Sequence, residues 1–278
     1  MLGAVASFSL MAVAGREVSF ELDTFEIMLY RSIIGCLIVL AYAWLSDTWR
    51  QINTERMGTH LTRNIFHFTG QNLWFYAISL IPLAQVFALE FTAPLWVVIL
   101  SPLLLGETLT RLKALAALIG FIGILIVTRP STETVNIGTL AAATAAICFA
   151  LNIMITKRLT RTASLTCILF WMTFLQSLFG LICAGIDGDI ALPSATTLPW
   201  LIAIGFGGLG AHFSLTKALS IAPATVVSPV DFLRLPVIAV IGMILYSEPI
   251  DLLVILGALI IFGANYLNIW SQTRRVPA

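Results

Sequence analysis

Eight side chains able to bind a solute or carry a proton, Arg31, His67, Gln71, Trp74, Glu90, His212, Asp231 and Arg234, stand inside stretches that are otherwise apolar. An ionisable group at the centre of a bilayer costs about 2.5–3.5 kcal/mol on insertion scales, so such residues are expected to face a protein interior or a water-filled cavity. At about 1.5 Å per helical residue, Glu90 and Asp231 each fall within about 6 Å of the midpoint of their stretch. Arg31 lies at a depth from which it is expected to pair with Glu90. Asp231 and Arg234 are close enough on one helix to pair with each other. Asn64, His67, Gln71 and Trp74 recur at three- and four-residue spacing, which puts them on one helix face that lipid would not tolerate. Asn152, Trp171, Gln176 and Asn265 are weaker inward candidates, and Pro94, Pro229 and Pro236 near the charges are candidate hinges. The competing reading is structural: ion pairs that lock helices together, amides that bridge them, and histidines that are satisfied core groups.

The elements that must position these residues follow from composition. Hydrophobic residues make up 59% of the 278 positions and charged ones 10%, against roughly 45–50% and 25% in soluble domains, an excess that lipid must solvate. Apolar runs between polar breaks predict spans at 1–15, 25–45, 64–81, 82–105, 111–128, 137–156, 165–186, 198–218, 223–246 and 252–270. The first run is short and ends in small residues, but no Lys or Arg precedes it as a cleaved leader would require. With the N-terminus inside, eleven Lys and Arg fall on the cytoplasmic side, and Arg16 and Arg129 alone fall outside. That bias predicts ten spans with both termini cytoplasmic. The four cysteines lie in apolar runs without paired spacing, which suits small core residues rather than disulfides or metal ligands. A net charge of +1 offers no surface for nucleic acid.

Shifting the chain by 141 residues against itself aligns Phe8 with Phe149, Arg16 with Lys157, Gln71 with His212, Glu90 with Asp231 and Glu107 with Glu248. The same shift lays Ala77–Pro82 on Ala218–Pro223. One constant offset predicts a duplicated five-helix unit, 1–130 and 137–272, whose odd span count forces the halves into opposite orientations. It also puts Met1 opposite Ala142, inside the sixth span, so a true start upstream is expected.

The stretch from Leu80-Ile81-Pro82-Leu83-Ala84 through Phe91-Thr92-Ala93-Pro94-Leu95, then Leu104-Leu105-Gly106-Glu107 and Gly120-Phe121-Ile122-Gly123, resembles the EamA-type members of the drug/metabolite transporter superfamily. So do Asp231-Phe232-Leu233-Arg234-Leu235-Pro236, Glu248, and Gly257 to Gly263 in the second half. The resemblance implies an all-α integral membrane fold, ten transmembrane helices as two inverted repeats around a substrate cavity, and secondary transport of a metabolite. Charges of both signs beside aromatic surface suit a small polar or zwitterionic solute such as an amino acid, moved across the plasma membrane, bacterial inner membrane included, in the export direction. Import or exchange of a nucleotide-like or cofactor-like solute is the alternative. The eight residues above are the expected substrate contacts, and a proton bound at Glu90 is the expected coupling ion. No cofactor is expected. A membrane-embedded enzyme fits less well, because no H-E-x-x-H, serine elbow or close pair of catalytic carboxylates occurs. A packing protein without substrate is disfavoured by the matched intramembrane carboxylates. Gly205-Phe206-Gly207-Gly208-Leu209-Gly210 matches a dinucleotide fingerprint only formally, since it lies in an apolar helix with no preceding strand. No phosphate-binding G-x-x-x-x-G-K-[ST] occurs, so concentrative transport would draw on a gradient.

Overall fold

In the computed structural model the described residues are 2–105, 110–129, 136–186, 188–221 and 233–273, with the backbone alone described for Leu105, His212, 215–221 and 271–273. All regular structure among them is helical. In chain order the helices are α1 (Leu2–Val18), α2 (Thr24–Leu45), a 3-10 turn (Trp49–Gln51), α3 (Met57–Leu80), α4 (Leu83–Glu90), α5 (Ala93–Leu105), α6 (Arg111–Thr128), α7 (Ile137–Leu159), α8 (Leu165–Ala184), α9 (Leu198–Ile221), α10 (Arg234–Tyr246) and α11 (Leu252–Thr273). Among the described residues, six spans are long and apolar enough to cross a membrane: α2, the combined α4–α5 unit, α6, α7, α8 and α11. Shorter apolar helices are Leu198–Ala211 within α9, and α10. The protein is a multi-pass membrane protein with its polarity turned inside out. Leu37, Trp44, Leu103, Phe206 and Ile244 are exposed, whereas Arg31, Arg63, Asn64, His67 and Gln71 are buried.

Local sequence sets the helix ends. The Asp23 carboxylate accepts the N–H groups of Phe25 and Glu26, while Glu26 accepts the Asp23 N–H, so both acids satisfy donors that the start of α2 leaves unpaired. Glu26 also accepts the Ala191 N–H at 2.6 Å, tying the start of α2 to the loop after α8. In the α1–α2 loop, hydrogen bonds from the Thr197 and Ser194 hydroxyls and the Ser194 N–H hold the Glu21 carboxyl below its ordinary pKa. The Asn136 and Ser164 side chains cap α7 and α8 by accepting the N–H groups of Thr139 and Cys167.

The helices pair reciprocally between the halves: α1 packs on α9 and α3 on α7, α2 faces α8, and α6 faces α11. The α6–α11 crossing is built on small residues, since a Cβ added to Gly123 or to Gly257 would stand 2.8 Å from the other residue's carbonyl oxygen. The glycines of the formal dinucleotide fingerprint pack similarly, Gly207 against the Ser7 carbonyl of α1.

Candidate functional site

Pro94 decides where Glu90 sits. In a continuous helix residue 94 would donate to the carbonyl of residue 90, and proline has no N–H to give. The fourth span accordingly breaks at Phe91–Thr92, leaving Glu90 as the last residue of α4. At the buried break another helix supplies a donor: Asn265 of α11 donates to the Phe91 carbonyl at 2.8 Å. The break places the Glu90 carboxylate between two helices. Trp74 Nε1 of α3 donates to Oε2 at 2.9 Å, and Arg234 NH1, at the first residue of α10, donates to Oε1 at 3.2 Å. The Trp74 ring is only 2% exposed and meets Phe75 and Phe87 edge to face. Arg234 lies over the rings of Phe8, Phe91 and Phe87, 4.4, 4.8 and 5.6 Å from their centroids, so aromatic faces share its charge with Glu90.

One turn along α3 from Trp74, Gln71 Oε1 accepts a hydrogen bond from Arg31 NH1. The expected Arg31–Glu90 pair is therefore corrected: Glu90 belongs to Arg234, and Arg31 is held by an amide. Both partners were at a compatible depth, but depth along a span does not determine the direction a side chain leaves it. Gly208 of α9 makes room for Arg31, because a Cβ there would lie 3.2 Å from NH2. A further turn along, the Gln176 amide N–H of α8 contacts His67 Nδ1 at 2.5 Å, so this histidine is anchored to a neighbouring helix. Asn64 donates to the carbonyls of His60 and Trp171. His212 belongs to α9, but its side chain lies outside the described residues, as does all of Asp231, and with it the expected Asp231–Arg234 pair.

Sequence reasoning passed over several residues of this interior. Arg63, counted above with a cytoplasmic loop, is buried beside Asn64 and donates to Thr156 Oγ1 at 2.6 Å and Asn64 Oδ1 at 3.3 Å. His60 is fully buried, with no hydrogen-bond partner for either ring nitrogen among the described residues. The signal for both was present as an extension of the α3 stripe by one more turn. From Arg63 to Trp74 the polar column runs about 16 Å along α3, half of a hydrocarbon core about 30 Å thick.

A second buried network lies where α1, α3, α4 and α10 end or begin. Arg16 pairs with Glu248 and donates to the carbonyls of Ile78 at 2.5 Å and Ile81 at 2.6 Å, while Glu248 accepts the Leu83 N–H at 3.0 Å. It borders a recess of about 430 Å³ lined also by Phe20, Ser79 and Tyr246.

The description of the matching family is that of the EamA-like transporters, and its model covers residues 1–129 and again 136–270. The chain belongs to this family. Its EamA-like architecture places it in the drug/metabolite transporter superfamily, a family of metabolite transporters rather than enzymes. A protein named S-adenosylmethionine uptake transporter from Rickettsia felis is 27% identical over 97% of this chain and 91% of its own length. A protein named riboflavin transporter from Brucella anthropi is 30% identical over 86% of this chain and 85% of that one. A crystal structure of a protein 16% identical superposes on 99% of this EamA-like chain and 97% of its own with a TM-score of 0.68, which shows a shared fold.

Proposed function

We propose that this protein is a secondary transporter that takes up a small polar metabolite, zwitterionic or cofactor-like, across the plasma membrane of its cell, the inner membrane in a bacterium. The observation that carries this reading is the buried column from Arg63 through Gln71 to the Trp74–Glu90–Arg234 cluster, set in a bundle whose outer surface is apolar. A packing protein has no use for so much buried polarity, whereas a solute crossing lipid needs partners along its way. Uptake is preferred to the export expected above because relatives over nearly the full chain carry uptake names. Two inverted five-helix units, 1–130 and 137–272, are part of the same reading, supported by the reciprocal pairing of α1 with α9 and α7 with α3. Broken α4–α5 is where the site gathers, as expected of discontinuous helices in such transporters.

Reconstituted vesicles test the function. Labelled S-adenosylmethionine, riboflavin and a panel of amino acids are offered with and without an imposed pH gradient. Uptake of at least one solute above protein-free vesicles is expected, rising with the gradient. Uptake of none of them, with efflux of none from preloaded vesicles, sinks the assignment. Equal initial rates and plateaus under both conditions would remove the proton. In this reading both termini are cytoplasmic, and a reporter fused after Arg275 should be active there; activity only on the outer side refutes that orientation.

A further inference from the structure

Three described arginines have a carboxylate partner: Arg16 has Glu248, Arg129 has Asp251 and Arg234 has Glu90. Two others, both deeply buried, have none among the described residues. The Arg63 guanidinium is satisfied by neutral groups on all three nitrogens, Thr156 Oγ1, Asn64 Oδ1 and Met172 Sδ. Arg31 is different, because its hydrogen bonds among the described residues, to Gln71 Oε1 and Met28 Sδ, both leave from NH1. Its Nε–NH2 edge keeps a side-on pair of donors, the geometry that grips a carboxylate or phosphate with two parallel hydrogen bonds. Gly208 puts no side chain on that edge, where any larger residue would bring a Cβ to 3.2 Å from NH2. The Phe75 ring centroid lies 5.8 Å from the guanidinium carbon, a cation–π contact that eases the charge without cancelling it or occupying the Nε–NH2 donors. A buried charge without a counter-charge is among the costliest arrangements a protein can hold, and a neutral amide does not cancel it.

We propose that the transported solute carries an anionic group, carboxylate or phosphate, and that Arg31, oriented by Gln71, is its anchor. This rests on the transporter reading above and narrows its substrate class. Arg63 keeps the inner part of the column positive without gripping the solute, and the Trp74–Glu90–Arg234 cluster lies beyond Gln71 for the rest of the molecule. The anion supplies the counter-charge that the fold omits, so the loaded site is electrically closer to neutral than the empty one.

Binding to purified full-length protein in detergent separates the possibilities. The probes are S-adenosylmethionine against its decarboxylated analogue, and riboflavin against its 5′-phosphate. Within at least one pair the member that carries the carboxylate or phosphate should bind at least about tenfold more tightly, the scale expected for a desolvated charge pair. Arg31→Gln should erase that difference by weakening the member with the anionic group and not the other, and Arg31→Lys should restore part of it. Equal binding within both pairs, or a preference that survives Arg31→Gln, overturns the proposal. Should no probe bind, acetate and phosphate are titrated against the melting temperatures of wild type, Arg31→Gln and Arg31→Lys. A rise in wild type that Arg31→Gln loses supports the anchor, and equal responses in all three overturn it. The transporter reading fails by a different result, the absence of flux in vesicles, whatever Arg31 binds.

Discussion

Glu90→Ala is expected to destabilise the protein by about 3–5 kcal/mol and to abolish uptake, because it removes one partner of a buried ion pair and leaves the other behind. Two of its neighbours lose an acceptor at once: Trp74 Nε1 and Arg234 NH1 each bond a separate carboxylate oxygen. Glu90→Gln is the sharper variant. A glutamine has one acceptor oxygen, so its NH2 must face one of two donors, and a single contact is lost at about 1–3 kcal/mol. A protonated Glu90 meets the same conflict, since one of its oxygens becomes a donor. Proton uptake would therefore loosen α4 from either α3 or α10, which is how one carboxyl could couple a proton to movement of helices. Glu90→Gln should retain binding and exchange but lose accumulation driven by a pH gradient. Thermal unfolding in detergent and vesicle uptake are measured together, with Glu90→Gln/Arg234→Met as the control. If that double variant recovers gradient-driven uptake along with stability, Glu90 is a structural partner only.

The parts of this site that were readable from sequence are those that depend on position along one helix. The α3 face, with Asn64, His67, Gln71 and Trp74 at three- and four-residue spacing, is buried as its period requires. Pro94, four residues after Glu90, marked the break. Partner choice was not readable: Arg31 was expected to pair with Glu90 and Arg234 with Asp231, and only packing set Arg234 at the mouth of α10 against Phe8 and Phe91, within reach of Glu90. Charges near span ends were the other blind spot. Arg16 and Arg63 were counted with the loops, but a long side chain at a helix end can fold back into the protein when backbone carbonyls or hydroxyls await it. Arg16 finds Ile78 and Ile81, and Arg63 finds Thr156.

The Arg16–Glu248 network should resist a charge swap. If attraction alone held these residues, Arg16→Glu/Glu248→Arg would restore what either single substitution loses. Their other bonds are not symmetric. The guanidinium donates to the Ile78 and Ile81 carbonyls at the end of α3, and the carboxylate accepts from the Leu83 N–H at the start of α4. Swapping would set a carboxylate against two carbonyl oxygens and a guanidinium against an N–H, so four good contacts become three like-meets-like contacts and one ion pair. Each buried polar group left unsatisfied costs about 1–3 kcal/mol, more than the restored attraction returns. Arg16→Met and Glu248→Gln are each expected to lower stability, Arg16→Met by about 3–5 kcal/mol as the loss of one partner of a buried pair. The swapped protein should be no more stable than Arg16→Met, and Arg16→Lys should recover part, since one ammonium cannot reach all three acceptors with the geometry of a planar fork. Thermal unfolding of the four variants decides it. A swap that unfolds within about 1 kcal/mol of wild type, the worth of an exposed surface pair, would mean that attraction dominates and that the carbonyl contacts contribute little. Failure of the swap would instead identify this network as a latch that joins the ends of α1, α3 and α10 to α4 through directional hydrogen bonds. In the orientation proposed above these ends lie on the outer side. Any solute entering from there must then break the Arg16 and Glu248 contacts in each cycle, and Arg16→Lys, the mildest weakening, should change the rate of uptake more than the affinity for solute.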